Sequence, residues 1–162
     1  MLNILNFEPY FAKTLPETCA LIMSGNLTLH PAVAQVILHG SRGLAGGYSS
    51  TSDLDLSLIV DAPLTSDMGH LCHEVLEETL DHWQSEAELD LAVIFDTRNC
   101  KLACFEQTTW NEHFCQVGGI DCFGLYKTQK GFSGLVTNDR IEVKRMYPCL
   151  KIWQRRTFGN LT

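Results

Sequence analysis

The fold of this chain is decided by residues 36–56, Val-Ile-Leu-His-Gly-Ser-Arg-Gly-Leu-Ala-Gly-Gly-Tyr-Ser-Ser-Thr-Ser-Asp-Leu-Asp-Leu. The stretch begins inside an apolar run, residues 32–38, which is typical of a buried strand. Residues 40–52 are rich in Gly and Ser, which indicates a turn or loop. Polar and apolar residues then alternate over residues 53–60, and this period of two predicts a second strand with two different faces.

Acidic side chains gather on the predicted strands. Asp53 and Asp55 are two residues apart, so they project from the same face, while the intervening leucines point the other way. Residues 88–95 form a third predicted strand, and Asp90 joins the same face if this strand lies beside the second. Carboxylates on such a short spacing suit Mg²⁺. Three of them at a sheet edge are what two-metal phosphoryl transfer requires.

The Gly-rich turn supplies groups that suit an anion. Gly40 lets the backbone approach a phosphate closely, and successive N–H groups form an anion site. The Ser41 hydroxyl can donate a further hydrogen bond, and Arg42 can pair with a phosphate or remain in solvent. We therefore predict that one turn holds the phosphates of a nucleotide while the following strand holds the metal.

This pattern resembles the signature of the DNA polymerase β-type nucleotidyltransferase superfamily. That signature is an apolar residue or His, Gly, then Gly or Ser, a gap, and Asp-apolar-Asp/Glu-apolar. Here it stands as Gly40-Ser41, eleven intervening residues and Asp53-Leu-Asp-Leu. The chain is most similar to the minimal nucleotidyltransferases, which include antibiotic-modifying enzymes and the antitoxin half of HEPN–MNT pairs. The resemblance covers residues 33–95.

The resemblance implies a nucleotidyltransferase fold and activity. A nucleoside monophosphate would pass from an NTP, with ATP expected, to a hydroxyl of a protein or small-molecule acceptor, and pyrophosphate would be released. By position, Gly40 and Ser41 would bind the triphosphate, Asp53 and Asp55 would bind Mg²⁺, and Asp90 would be the third carboxylate at the acceptor. A toxin is an implied partner. Many minimal members read Gly-Ser-x-Ala-Arg-Gly, whereas here the arginine directly follows Gly-Ser.

The order of predicted elements indicates an α/β (α+β) protein with a small mixed β-sheet flanked by helices. Helices are predicted over residues 14–23 and from Ser66 to about residue 84, and a further strand over residues 120–127. Residues 139–156 are predicted to be mostly helical, with an interruption at Pro148. We expect one nucleotidyltransferase-like domain over residues 1–162.

Composition limits the function further. A length of 162 residues suits one domain, and 45% hydrophobic with 19% charged residues is a globular composition. No stretch approaches the roughly 20 apolar residues that cross a bilayer, so no membrane partner is expected. The first residues lack the pattern of an export signal, and the seven cysteines are expected to be reduced, which predicts a cytoplasmic protein.

Charge is distributed unevenly along the chain. The net charge is −7, yet residues 127–156 contain eight basic and two acidic residues. Because the remainder is acidic, nucleic acid is not expected as a partner. Lys144, Arg145 and Lys151 are candidates to grip a triphosphate, and the alternative is an ordinary solvated helix face.

Several alternatives compete with these assignments. Glu88 lies on the same predicted face as Asp90 and is the alternative third carboxylate. A hydrolase using Ser41, Asp90 and His113 is disfavoured, because a nucleophile elbow needs Gly where this chain has His39. A zinc site is the other alternative, and its candidate ligands are Cys100, Cys104, His113, Cys115 and Cys122. It is disfavoured because these residues include no Cys-x-x-Cys pair, and the cysteines are expected to be buried thiols instead.

The second functional hypothesis is an antitoxin-like protein that keeps the fold and binds a partner with little or no catalysis.

Overall fold

A computed structural model describes residues 6–61, 68–95, 102–111, 124–129, 132–136 and 146–155 of the chain. The helices among these residues are α1 (Pro9–Thr14), α2 (Pro16–Ser24) and α3 (Met68–His82), with a short 3-10 helix over Ala103–Glu106. The strands are β1 (Val33–His39), β2 (Leu54–Val60), β3 (Leu89–Phe95), β4 (Gly124–Gln129), β5 (Phe132–Val136) and β6 (Leu150–Gln154).

The six strands form one mixed sheet in the order β5-β4-β3-β2-β1-β6. β2 and β3 are parallel, and the other neighbouring pairs are antiparallel. Two parallel neighbours need a crossover connection, and α3 lies in the segment that joins them. The prediction of a mixed sheet with helices is confirmed, as are the three strands predicted around the Gly-rich turn.

The larger hydrophobic core lies on one face of the sheet, between the strands and the three helices. Its strand members include Val36, Leu38, Leu54, Leu56, Leu58, Leu91 and Val93, and its helix members include Phe11, Ile22, Cys72, Val75 and Leu76. Side chains alternate along a strand, so burying these leucines turns Asp55, Ser57 and Asp90 to the opposite face. The packing of the core therefore determines which face carries the polar residues.

A smaller hydrophobic core lies on the polar face, beside the carboxylates. It consists of Ile37, Ile59, Ile94, Leu102, Cys104, Phe105 and Cys149. Cys104 is buried, as predicted, while Cys100, Cys115 and Cys122 lie outside the described residues. Burial raises the pKa of the Cys149 thiol to about 12. Such a thiol behaves as a small apolar group that packs the core.

The predicted N-terminal helix over residues 14–23 is confirmed only in part. The chain forms two short helices, and Leu15 separates them. Proline disfavours the helical conformation of the residue before it, so Pro16 stops α1 and begins α2.

The helix predicted over residues 139–156 is wrong where it is described, because residues 150–154 form β6. Leu150 and Ile152 are buried, whereas the residues between and after them are more exposed, and this alternation is that of a strand. β6 pairs with β1 and is the outermost described strand on that side of the sheet. Residues 139–145 and Arg156 lie outside the described residues. The strand predicted over residues 120–127 corresponds to β4, which spans Gly124–Gln129.

The first turn of α1 lies along the outer edge of β6. The Glu8 N–H donates a hydrogen bond of 2.8 Å to the carbonyl of Ile152, and the Tyr10 hydroxyl donates to the carbonyl of Lys151. Residues at the start of α1 thus cover part of the outer edge of β6. None of the helices described has the length and hydropathy needed to span a membrane.

Candidate functional site

Three neighbouring strands meet at the end of the sheet that holds the Gly-rich turn. β1 ends at His39, and the antiparallel β2 and its parallel neighbour β3 both begin there. The strand register places His39 opposite Asp55 and Asp55 opposite Asp90. A row of His39, Asp55 and Asp90 therefore crosses three adjacent strands on the polar face.

The predicted trio of carboxylates is brought together only in part. Asp55 and Asp90 are half-buried register neighbours, whereas Asp53 is exposed and lies one residue before β2. The β2–β3 ladder extends to the Leu54 N–H, which donates to the carbonyl of Glu88 at 2.8 Å. Glu88, the alternative third carboxylate, is thus one step further out, level with Asp53. Among the described residues, no three His, Cys, Asp or Glu side chains are grouped so as to hold a metal ion.

Gly40 touches the carboxylate of Asp55 in a way that only glycine allows. Its φ is +74°, in the left-handed region that other residues rarely adopt. A Cβ atom added to Gly40 would overlap Oδ2 of Asp55. The glycine of the motif therefore has two roles here, because it makes the turn and leaves room for the carboxylate.

Hydrogen bonds hold the turn that follows. The Gly43 N–H donates to the carbonyl of Gly40 at 3.0 Å, and the Gly46 N–H donates to the carbonyl of Gly43 at 3.2 Å. The Thr18 hydroxyl of α2 donates to the carbonyl of Arg42 at 2.6 Å. The turn is thus attached to the helical layer. Ser41, the predicted phosphate ligand, is half-buried within it.

Arg42 is buried inside the turn that it belongs to. Its Nε donates to the carbonyl of Ser52 at 2.8 Å, and one terminal nitrogen donates to the carbonyl of Ser49 at 3.3 Å. The guanidinium carbon lies 4.9 Å from the ring centre of Tyr48, whose hydroxyl donates to the Glu17 carboxylate. Through these contacts Arg42 holds the two ends of the loop together. The contact of Arg42 with a phosphate stays a prediction.

Replacing Arg42 tests this bracing role. We expect Arg42→Ala to lower the free energy of unfolding by about 2–3 kcal/mol, because charged hydrogen bonds in a buried setting are lost. Arg42→Lys should recover little, since lysine lacks the planar fork that reaches two carbonyls. Urea denaturation monitored by circular dichroism measures both effects. Unfolding free energies equal to that of wild type would contradict the role.

Sequence reasoning missed a hydrogen-bonded pair beside the carboxylates. His39 Nε2 lies 2.7 Å from the Ser57 hydroxyl, and His39 Nδ1 lies 2.8 Å from the carbonyl of Met146. Ser57 is the next polar residue after Asp53 and Asp55 in the alternation of β2, so a signal for its side of the sheet was present. Nothing in the local sequence indicates the contact with Met146, which is 107 residues away.

A cleft of about 550 Å³ opens at the same end of the sheet, on the side of β6. Phe105, Cys149 and Leu150 contribute apolar walls, and Leu44 of the Gly-rich turn also lines it. Burial and the nearby carboxylates of Glu8 and Glu106 raise the pKa of Tyr10, another lining residue, to about 12. A cavity of this size matches a ligand-binding pocket.

Lys151 also lines this cleft, but its ammonium group is already paired. It lies 2.7 Å from the Glu106 carboxylate and 2.8 Å from the side-chain oxygen of Gln154. The side chain is 12% exposed. Of the three basic candidates for gripping a triphosphate, Lys151 is therefore engaged elsewhere, and Lys144 and Arg145 lie outside the described residues. His113, the base of the alternative hydrolase, also lies outside them.

No protein-family model matches this chain, and no curated protein is significantly similar to it. The motif residues and the geometry at the end of the sheet are therefore what bears on function.

Proposed function

We propose that this protein is a Mg²⁺-dependent nucleotidyltransferase that transfers a nucleoside monophosphate from an NTP, with ATP expected, to an acceptor hydroxyl. The observation that carries the proposal is the register of β2 and β3, which makes Asp55 and Asp90 neighbours beside the Gly40 turn. The two aspartates are 35 residues apart in the sequence, so the pairing of β2 with β3 is what brings them together. The resemblance to the nucleotidyltransferase superfamily implies a third carboxylate here.

The carboxylates fit Mg²⁺ bound in the mode typical of nucleotide enzymes. Mg²⁺ is usually held by one or two carboxylates, with waters and substrate phosphates in the remaining positions. Asp55 and Asp90 would supply the two protein ligands, and Asp53, exposed at the start of β2, would join when the nucleotide is present. Bound there, Mg²⁺ would neutralise the triphosphate and lower the pKa of the attacking hydroxyl.

The residues of the chain divide the remaining tasks. The turn at Gly40 and Ser41 binds the triphosphate through backbone N–H groups and the serine hydroxyl. Asp90 accepts the proton of the acceptor hydroxyl, whose oxygen forms a bond to the α-phosphorus. The bond from that phosphorus to the bridging oxygen breaks, and pyrophosphate leaves. Arg42 supports this arrangement by holding the loop closed.

The acceptor is a protein or a small molecule. A template-directed polymerase must hold a polyanionic template, and the net charge of −7 disfavours that. Cytoplasmic location and a toxin partner remain expectations from the sequence.

Calorimetric titration tests the proposal directly. ATP and the other NTPs are titrated into the wild-type protein and the Asp53→Asn/Asp55→Asn double variant, each with and without Mg²⁺. We expect at least one NTP to bind wild type only when Mg²⁺ is present, and we expect the double variant to lose this binding. The melting temperature of the variant should remain near that of wild type, because Asp53 is exposed and asparagine has nearly the same shape as aspartate.

The opposite outcome selects the second hypothesis. If no NTP binds the folded wild-type protein, the nucleotidyltransferase proposal fails, and a partner-binding protein of the same fold becomes the better explanation. Binding that is equal in the double variant would place the nucleotide elsewhere and remove the role of these carboxylates.

A further inference from the structure

We propose that His39 is a positioning residue for the carboxylate site. Its imidazole connects β1, β2 and the segment before β6 at the point where the Gly-rich turn begins. The functional part of this inference rests on the proposed nucleotidyl transfer. The structural part does not depend on that activity and can be measured separately.

The hydrogen bonds of the ring fix its orientation. A carbonyl oxygen can only accept, so the 2.8 Å contact with Met146 requires a proton on Nδ1 of His39. In the neutral ring, Nε2 then accepts from the Ser57 hydroxyl at 2.7 Å. Phe105 packs against the imidazole edge-to-face, with the ring centres 6.4 Å apart. Contacts on three sides therefore hold the ring in one pose.

The bond to Ser57 lies out of reach of water. Ser57 is only 1% exposed, so a lost partner would leave a buried hydroxyl without its hydrogen bond to His39. Ser57 lies in β2 two residues beyond Asp55, on the same face of the sheet. The His39 side chain thus spans from the end of β1 to the middle of β2, past the position of Asp55.

The imidazole holds the end of β1, and this end of β1 adjoins the Asp55 carboxylate. His39 is opposite Asp55 in the register and is directly followed by Gly40, whose α-carbon lies against the Asp55 carboxylate. If the end of β1 shifted away from β2, the turn and the carboxylate would separate. The imidazole opposes that shift because it is bonded to β2 on one side and to Met146 on the other.

Variants of His39 and Ser57 separate positioning from simple stability. His39→Phe keeps the ring and its packing but loses both hydrogen bonds, and we expect kcat to fall about 100-fold, as misplacement of reacting groups does. KM for Mg²⁺–ATP should change less than threefold in the same variant. His39→Asn retains a donor near the position of Nδ1 and should recover much of kcat. Combining Ser57→Ala with His39→Phe should add little to the loss from His39→Phe alone, because both variants remove the same His39–Ser57 bond.

A spectroscopic measurement makes the structural part independent of activity. In ¹H–¹⁵N correlation spectra, Ser57→Ala, which removes the bond to the ring without changing a sequence neighbour of Gly40, should move the Gly40 amide resonance and leave that of Gly46 in place. An unmoved Gly40 resonance would overturn the positioning role, whether or not the protein transfers nucleotides. If the resonance moves and wild type transfers nucleotides, yet kcat of His39→Phe equals that of wild type, the catalytic part of the inference fails. Failure of wild type to bind any NTP would instead refute the proposed function.

Discussion

The Asp55→Asn variant is expected to transfer nucleotides about 1,000-fold more slowly than the wild-type protein. A metal ligand contributes several kcal/mol of transition-state stabilisation, and each 1.36 kcal/mol corresponds to a factor of ten in rate. Asn keeps the shape of Asp but removes the charge that balances Mg²⁺. Steady-state release of pyrophosphate measures the effect once an acceptor is found, and Mg²⁺-dependent NTP binding measures it before then.

Asp81→Asn is the matched control for this variant. Asp81 is exposed on α3, and its substitution removes the same charge without touching the sheet end. Activity should stay within about twofold of wild type, since a surface substitution away from the site has little effect. A comparable loss in both variants would point to a general effect of charge and would contradict the assignment of Asp55.

Gly40→Ala is expected to reduce transfer by at least 100-fold and to destabilise the protein as well. The added methyl group would occupy the space of the Asp55 carboxylate and force it away from the turn. A misplacement of about 1 Å at a reacting centre can lower the rate about 100-fold. The left-handed backbone at this position adds a stability cost of about 1–2 kcal/mol for a residue with a Cβ.

Gly46→Ala distinguishes the backbone cost of Gly40→Ala from the overlap of its methyl group with Asp55. Gly46 has φ of +75°, almost the same as Gly40, but a Cβ added there would meet nothing within 4 Å. Both alanine variants should therefore lose similar stability in urea denaturation, and only Gly40→Ala should lose activity beyond the unfolded fraction. Equal activities in the two variants would show that contact with Asp55 is unimportant.

Local patterns in the sequence predicted the central part of the sheet. In β2 and β3, leucines alternate with polar residues, and this alternation indicates both the strand and the face on which Asp55 and Asp90 lie. β1 is predictable in the same way, because an apolar run bounded by Pro31 and Gly40 is typical of a buried strand. Such segments are predictable because burial on one face imposes the pattern residue by residue.

Long-range contacts determined what the sequence did not reveal. β6 has the alternation of a strand in only five residues, and its pairing with β1, more than 100 residues earlier, decides its conformation. Arg42 looked available to a phosphate, yet the carbonyls of Ser49 and Ser52 become its acceptors only when the loop folds back. The bond from His39 to Met146 depends on the same closure of the sheet by β6.

The contact of α1 with β6 also has a consequence for self-association. An open strand edge is a template on which another chain can add a strand, and this is a common start of aggregation. Here the carbonyls of Lys151 and Ile152 already accept hydrogen bonds from Tyr10 and Glu8 of the same molecule. An incoming strand would have to displace the first turn of α1 before it could pair with β6. The first turn of α1 therefore blocks intermolecular strand addition at this edge.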